Sequence, residues 1–96
     1  MKIKVSYLGY LGSVLGKSTE YVESPDGISL AGFLQILFNS HGEKLEREIY
    51  DAECKCLKHG FSILVNNNLV LGGAPVPEIT LKKGDHVIIS PLIAGG

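Results

Sequence analysis

Three groups of residues in this chain of 96 could carry chemistry: the pair Cys54-x-Cys56, the histidines His41, His59 and His86, and the closing run Pro91-Leu92-Ile93-Ala94-Gly95-Gly96. A structural zinc site needs four ligands, so the cysteines would have to recruit two more from the histidines or a carboxylate. Cys-x-Cys has no second ligand pair at a fixed spacing, and the expectation is two reduced thiols and no metal. Two cysteines are also too few for a disulfide scaffold. The histidines have no neighbouring constellation for catalysis and are expected at surface or boundary positions.

The closing run has a more specific logic. Beyond Leu92, the segment Ile93, Ala94, Gly95 and Gly96 could reach about 13 Å if extended. Glycine carries a large entropy cost when ordered, which makes sense where a partner encloses it. Lacking Cβ atoms, Gly95 and Gly96 can enter a channel too narrow for other residues and present the main-chain carboxylate of Gly96. A carboxylate with a pKa of about 3.5 is ionised and a poor electrophile at neutral pH. It must first be activated, for example as an acyl-adenylate made from ATP, and the catalyst needs metal and cationic groups for that phosphoryl chemistry. This chain has no Walker-type lysine loop. Activation therefore falls to another protein, ATP is that partner's substrate, and no stably bound cofactor is expected here. The plain alternative is a terminus that merely ends in glycines.

Composition narrows the rest. Nine Lys and Arg stand against ten Asp and Glu, a formal net charge of -1, and Lys82-Lys83 is the longest basic run. A nucleic-acid binder needs a concentrated cationic face, so none is expected. Lys2 and Lys4 ahead of the apolar run from Val5 to Leu15 imitate a signal peptide, but Ser6, Gly9, Gly12, Ser13 and Gly16 interrupt it. No stretch approaches the roughly 20 apolar residues of a membrane helix. A cytoplasmic protein without membrane contact is expected.

The elements that must position the terminus follow from periodicity. Ile3, Val5 and Tyr7 alternate with polar residues and predict a half-buried strand. Gly9, Gly12 and Gly16 predict a glycine loop, and Thr19 to Val22 a second strand ending in the turn Ser24-Pro25-Asp26-Gly27. Ser29 is a helix N-cap. Ile28 and Phe33 are spaced for a hydrophobic staple, and Leu30, Phe33, Leu34, Leu37, Phe38 and His41 form a helical stripe closed by Gly42. Glu43 to Ile49 continues as a short helix, whereas Asp51 to His59 fits more than one pattern. Phe61, Ile63 and Val65 predict a third strand, Leu69 to Leu71 a short fourth, and Lys82-Lys83-Gly84-Asp85 a turn before a last strand from His86 to Ser90. Val87 and Ile89 face one way and Ile88 the other, as in a central strand. Pro91 cannot donate to a ladder and is expected to release the chain from the sheet.

The opening strand Lys2 to Tyr7, the helix stretch Leu30 to Phe38, Ile63-Leu64-Val65-Asn66, Leu81-x-x-Gly84-Asp85-x-Val87 and the closing Pro91 to Gly96 together resemble the MoaD and ThiS family of ubiquitin-like sulfur carriers. The molybdopterin synthase small subunit is the nearest type. The resemblance spans nearly the whole chain. It implies an α+β β-grasp fold: a mixed sheet with the first and last strands central and parallel, and one main helix across one face. The domain would run from 1 to 91, with a flexible tail over 92–96. It also implies an E1-like adenylating enzyme, a sulfur donor protein, and a C-terminal thiocarboxylate on Gly96 that donates sulfur to precursor Z inside the large synthase subunit. The chain would be a co-substrate with no catalytic centre of its own. Leu92 and the exposed apolar side of the sheet, with Phe61, would form the contact surface alongside Pro91, Ile93, Ala94 and Gly95; read from its own strand pattern, Phe61 fits the core or partly exposed sheet surface better than a recognition pocket. Ser90-Pro91 in place of a Pro-Pro pair, the Cys-x-Cys and the Gly72-Gly73-Ala74-Pro75 insert depart from the family pattern. A sulfur carrier for tRNA thiolation, a ubiquitin-like modifier and a non-catalytic β-grasp interaction domain remain alternatives.

Overall fold

The computed structural model describes residues 1–92; Ile93, Ala94, Gly95 and Gly96 lie outside the described residues. The elements run β1 (Lys2–Tyr7), α1 (Leu11–Leu15), β2 (Thr19–Glu23), α2 (Leu30–His41), α3 (Glu43–Ile49), β3 (Tyr50–Asp51), β4 (Cys56–Leu57), β5 (Phe61–Val65), β6 (Asn68–Leu71) and β7 (His86–Pro91). Five strands form one sheet in the order β2-β1-β7-β5-β6. The first and last strands sit side by side and run parallel, with Val5 opposite Val87 and Tyr7 opposite Ile89. β7 is antiparallel to β5 on its other edge. This is the β-grasp arrangement expected from the sequence.

One face of the sheet carries Ile3, Val5, Tyr7, Ile63, Val65, Val87 and Ile89, all essentially inaccessible to solvent. α2 covers it with Leu30, Phe33, Leu34, Leu37 and Phe38, and α3 adds Leu45 and Ile49. The stripe is the predicted one. The Ser29 hydroxyl accepts the Gly32 N–H at 3.1 Å, satisfying one of the helix's orphan donors. Gly42 ends α2 at a φ of 67° that β-carbons disfavour.

Three local expectations are corrected and one open stretch is resolved. The segment between Gly9 and Gly16 is a five-residue helix rather than a loop, because Leu11, Val14 and Leu15 recur at helical spacing and Leu11 is fully buried. The undecided stretch from Asp51 resolves into β3 and β4, paired Tyr50 to Leu57 and Asp51 to Cys56. The cysteines are not reduced thiols: Cys54 and Cys56 are joined as a disulfide. Finally, Pro91 does not release the chain. It remains paired with Phe61, and the Leu92 N–H still donates to the Gly60 carbonyl at 2.6 Å. Strand N–H groups alternate in direction, so the donor that Pro91 lacks faces the β1 side, beyond the final pair of Tyr7 with Ile89. The ladder with β1 ends there, while the ladder with β5 continues.

Candidate functional site: the root of the carboxyl terminus

Parallel pairing of β1 and β7 brings the ends of both strands to one end of the sheet. The chain after β1 therefore turns beside the chain leaving β7. The Leu8 N–H donates to the Ile89 carbonyl at 2.9 Å. Gly9 then adopts a φ of 59°, and a β-carbon on it would lie 3.0 Å from Cγ of Pro91. Glycine is required here both for the turn and for the close approach of the proline ring. Around this root Leu8, Tyr10 and Leu92 are each about half exposed, at 48, 47 and 48%. The Tyr10 hydroxyl donates to Oε2 of Glu48 at 2.6 Å, and that bond to a carboxylate pushes its pKa up to about 12. Tyr10 is thus a half-exposed, uncharged aromatic tied to Glu48 of α3.

The face of the sheet away from the helices forms a second apolar surface. Register places Ile88 beside Leu64, and Leu64 beside Leu69; one row on, Ser90, Ser62 and Leu71 line up. The Ser62 and Ser90 hydroxyls lie 3.0 Å apart and hydrogen-bond each other. Leu64, Leu69 and Leu71 are exposed, at 38, 61 and 52%. Phe61 does not belong to this surface. Its side chain alternates with Ser62 onto the helix-covered side and is buried, and the exposed apolar residues of the outer face are Leu64, Leu69 and Leu71. The sequence signal was present, since Leu64 is the strand residue out of phase with Phe61, Ile63 and Val65.

Pro91 is the last residue of β7 and Leu92 after it is half exposed, while Ile93, Ala94, Gly95 and Gly96 are outside the described residues. His86 lies on the outer face, with Nε2 2.7 Å from the Ser6 hydroxyl. Burial, and then the charge of Lys4, lowers its pKa. His59 is exposed. Among the described residues no group of three or more His, Cys, Asp or Glu is placed to hold a metal. No helix of the described residues is long and apolar enough to cross a membrane.

The third histidine belongs to a cluster that fastens this end of the domain. Glu20 on β2 accepts the Tyr7 hydroxyl at 2.5 Å and faces Nε2 of His41, at the end of α2, at 2.5 Å; Lys17 lies 3.7 Å from its other oxygen. Burial alone would raise the Glu20 pKa, but the hydrogen bonds from Tyr7 and His41, with the charges of His41 and Lys17, hold it below its ordinary value. Burial and the same carboxylate push the Tyr7 hydroxyl far above its usual range. Glu20→Ala strands two part-buried polar groups and is expected to cost about 1–3 kcal/mol at neutral pH. The sign of the pH dependence follows from the lowered folded pKa. The contribution is complete above the ordinary value of 4.5 and disappears as pH falls through the folded value. Urea unfolding of both proteins across that window should show the difference shrinking toward acid.

With the geometry established, comparison with known proteins adds the class. No family model and no curated protein matches the chain. Solved structures do. Small archaeal modifier protein 1 of Haloferax volcanii superposes over the full length of both chains with a TM-score of 0.74 and 20% identity. A candidate molybdopterin converting factor, subunit 1, of Pyrococcus furiosus matches at 26% identity and a TM-score of 0.66, covering 97% of this chain and 99% of that one. Small archaeal modifier protein 1 of Methanosarcina acetivorans matches at 20% identity and a TM-score of 0.69, covering 99% and 96%. The chain has the ubiquitin-like β-grasp fold.

Proposed function

We propose that this protein is a ubiquitin-like carrier whose Gly96 carboxylate is activated by an E1-like adenylating partner and then passed on, as a thiocarboxylate sulfur or as an acyl group joined to lysine. The observation that carries this reading is the root itself. The central strand β7 ends at Pro91, Leu92 after it is half exposed, and the outer face of the same sheet presents exposed Leu64, Leu69 and Leu71. A carboxylate four residues further on is within reach of a partner seated on those surfaces, at about 13 Å.

The chemistry balances on the terminus alone. Carboxylate and ATP give acyl-adenylate and pyrophosphate in the partner's site. Sulfide supplied by a donor protein displaces AMP to leave a thiocarboxylate, or a lysine amine displaces AMP to leave an isopeptide bond and a proton. The higher TM-scores to small archaeal modifier proteins favour the modifier or tRNA-thiolation fate. The 26% identity to the Pyrococcus furiosus protein favours a second reading, sulfur supply to precursor Z inside the large subunit of molybdopterin synthase.

One digest separates the fates. Lys83 is the last basic residue, so trypsin would leave Gly84 to Gly96 attached to any modified lysine. Recovery of that remnant on other proteins, after co-expression with the activating enzyme, supports the modifier fate; a thiocarboxylate pool without conjugates supports the carrier fate. The outer face should serve either. Leu69→Asp, at a site 61% exposed, is expected to change stability by less than about 0.5 kcal/mol. If Leu69 anchors the partner, the same change slows Gly96 activation by about tenfold, equivalent to about 1.4 kcal/mol. Initial rates of pyrophosphate release at limiting carrier would measure it.

A further inference from the structure

We propose that Cys54 and Cys56 form a thiol–disulfide exchange site for low-molecular-weight thiols, separate from the carboxyl terminus. Cys54 is the sulfur that meets the incoming thiolate; Cys56 is the sulfur that leaves and later recloses the bond. The two sulfurs are joined, and their α-carbons lie 5.2 Å apart, within the span a disulfide requires. Lys55 between them takes a φ of 56°. A left-handed non-glycine residue is uncommon, and here it turns the chain between the end of β3 and the start of β4 so that its two neighbours converge.

The sulfurs are not equivalent. Cys54 is exposed, whereas Cys56 is 5% exposed on β4. Both line a cavity of about 240 Å³ that also presents Asp51, Lys58, His59 and Gly73. Two of these side chains are already engaged. A carboxylate oxygen of Asp51 accepts the Glu53 N–H at 2.9 Å, and the Lys58 ammonium donates to the Arg47 carbonyl. His59 packs where a β-carbon on Gly73 would stand, so the glycine makes room for the imidazole. Exposure selects the point of attack in thiol–disulfide exchange, and a buried partner sulfur is shielded.

The exchange balances without any further reagent. A thiolate attacks Sγ of Cys54, the Cys54–Cys56 bond breaks, and its electron pair leaves on Sγ of Cys56, which takes a proton from water. A second thiolate attacks the thiol's own sulfur in the mixed disulfide and frees Cys54. The net change is protein disulfide plus two thiols giving protein dithiol plus the thiol's disulfide. The bond ties a segment coupled to the rest of the fold: Cys56 bridges to Pro75, and the Leu57 carbonyl accepts the Gly73 N–H at 2.8 Å.

The test uses the full chain equilibrated without oxygen in reduced and oxidised glutathione at graded ratios, quenched with a maleimide and weighed intact. The expected result is one transition from unlabelled to doubly labelled protein as the buffer becomes more reducing. In parallel, Cys56→Ala should capture glutathione on Cys54 about tenfold faster than Cys54→Ala captures it on the buried Cys56; Cys→Ser versions replace any variant that fails to fold. A population that does not respond to the glutathione ratio, or equal capture by the two variants, overturns the proposal.

Discussion

Deleting Gly95 and Gly96 is expected to abolish the proposed adenylate formation while leaving the folded domain intact. The buried hydrophobic core lies between Ile3 and Ile89, so unfolding free energy is expected to change by less than about 0.5 kcal/mol. Every proposed covalent step, by contrast, uses the carboxylate of Gly96. The loss is then not one of degree: the shortened chain ends on the carboxylate of Ala94, two residues short of the partner's reaction centre. Gly96→Ala sharpens the argument, because it keeps both length and charge and adds a single methyl. If the terminus works by entering a narrow channel, that methyl alone should lower the activation rate by about a hundredfold, the order of effect that misplacing a reacting group by about 1 Å can have. Unchanged activity of the deletion would favour a non-catalytic interaction domain that binds through its open sheet face.

Gly72→Ala is expected to be the most damaging single methyl in the described part of the chain. A β-carbon there would overlap the carbonyl group of Lys58, whose carbonyl carbon would stand only 2.6 Å away. The neighbour is main chain, so no rotamer change relieves the clash. The Gly72 N–H also donates to the Phe61 carbonyl at 3.0 Å, which fixes its position against the segment that holds Leu92. A cost on the order of 3 kcal/mol is expected, against a much smaller effect for Gly12→Ala, where the nearest atom is 3.6 Å away and only helix propensity changes. Paired urea denaturation curves of the two variants measure the contrast. The Gly72-Gly73 insert, unusual as sequence, is in the structure the place where the crossing from β6 passes directly over Lys58 and His59.

Elements defined by a repeated pattern were legible in the residues themselves. The alternation of Ile3, Val5 and Tyr7, the stripe from Leu30 to Phe38 with its Ser29 cap, and the two-sided aliphatic character of β7 predicted the strands, the helix and the central place of the last strand. α1 and the β3–β4 pair were not. α1 is too brief to show more than one helical repeat, and its three flanking or internal glycines read as a loop; only the burial of Leu11 under the sheet's end makes it a helix. The paired two-residue strands β3 and β4 depend on the left-handed turn at Lys55, which no pattern in Asp51 to His59 announces. The same turn brings Cys54 to Cys56, a contact their spacing permits but does not require.

The site was legible in its logic and less so in its surroundings. That the chain should leave the sheet near Pro91 followed from the missing donor, yet the ladder continues through Pro91, and Leu92 is still held by Gly60. The phase of Phe61 with Ile63 and Val65 pointed to the core, where the side chain is buried, and only the family resemblance suggested a contact role. Leu8 and Tyr10 could be placed beside the terminus only once the parallel pairing of β1 with β7 was known, because nothing local relates residues so distant in sequence. The Glu20, His41 and Tyr7 cluster escaped the sequence reading for the same reason.

The most direct test weighs the protein. Purified chain ending at Gly96 is incubated with ATP, its cognate adenylating enzyme and a sulfur source, and its intact mass is taken with fragmentation of the last residues. Exchange of one oxygen for one sulfur, localised to Gly96 and dependent on ATP, is the predicted result. With an enzyme shown to be active, no ATP-dependent product at Gly96, whether adenylate, thiocarboxylate or lysine conjugate, or sulfur found only on Cys54 or Cys56, would contradict the account.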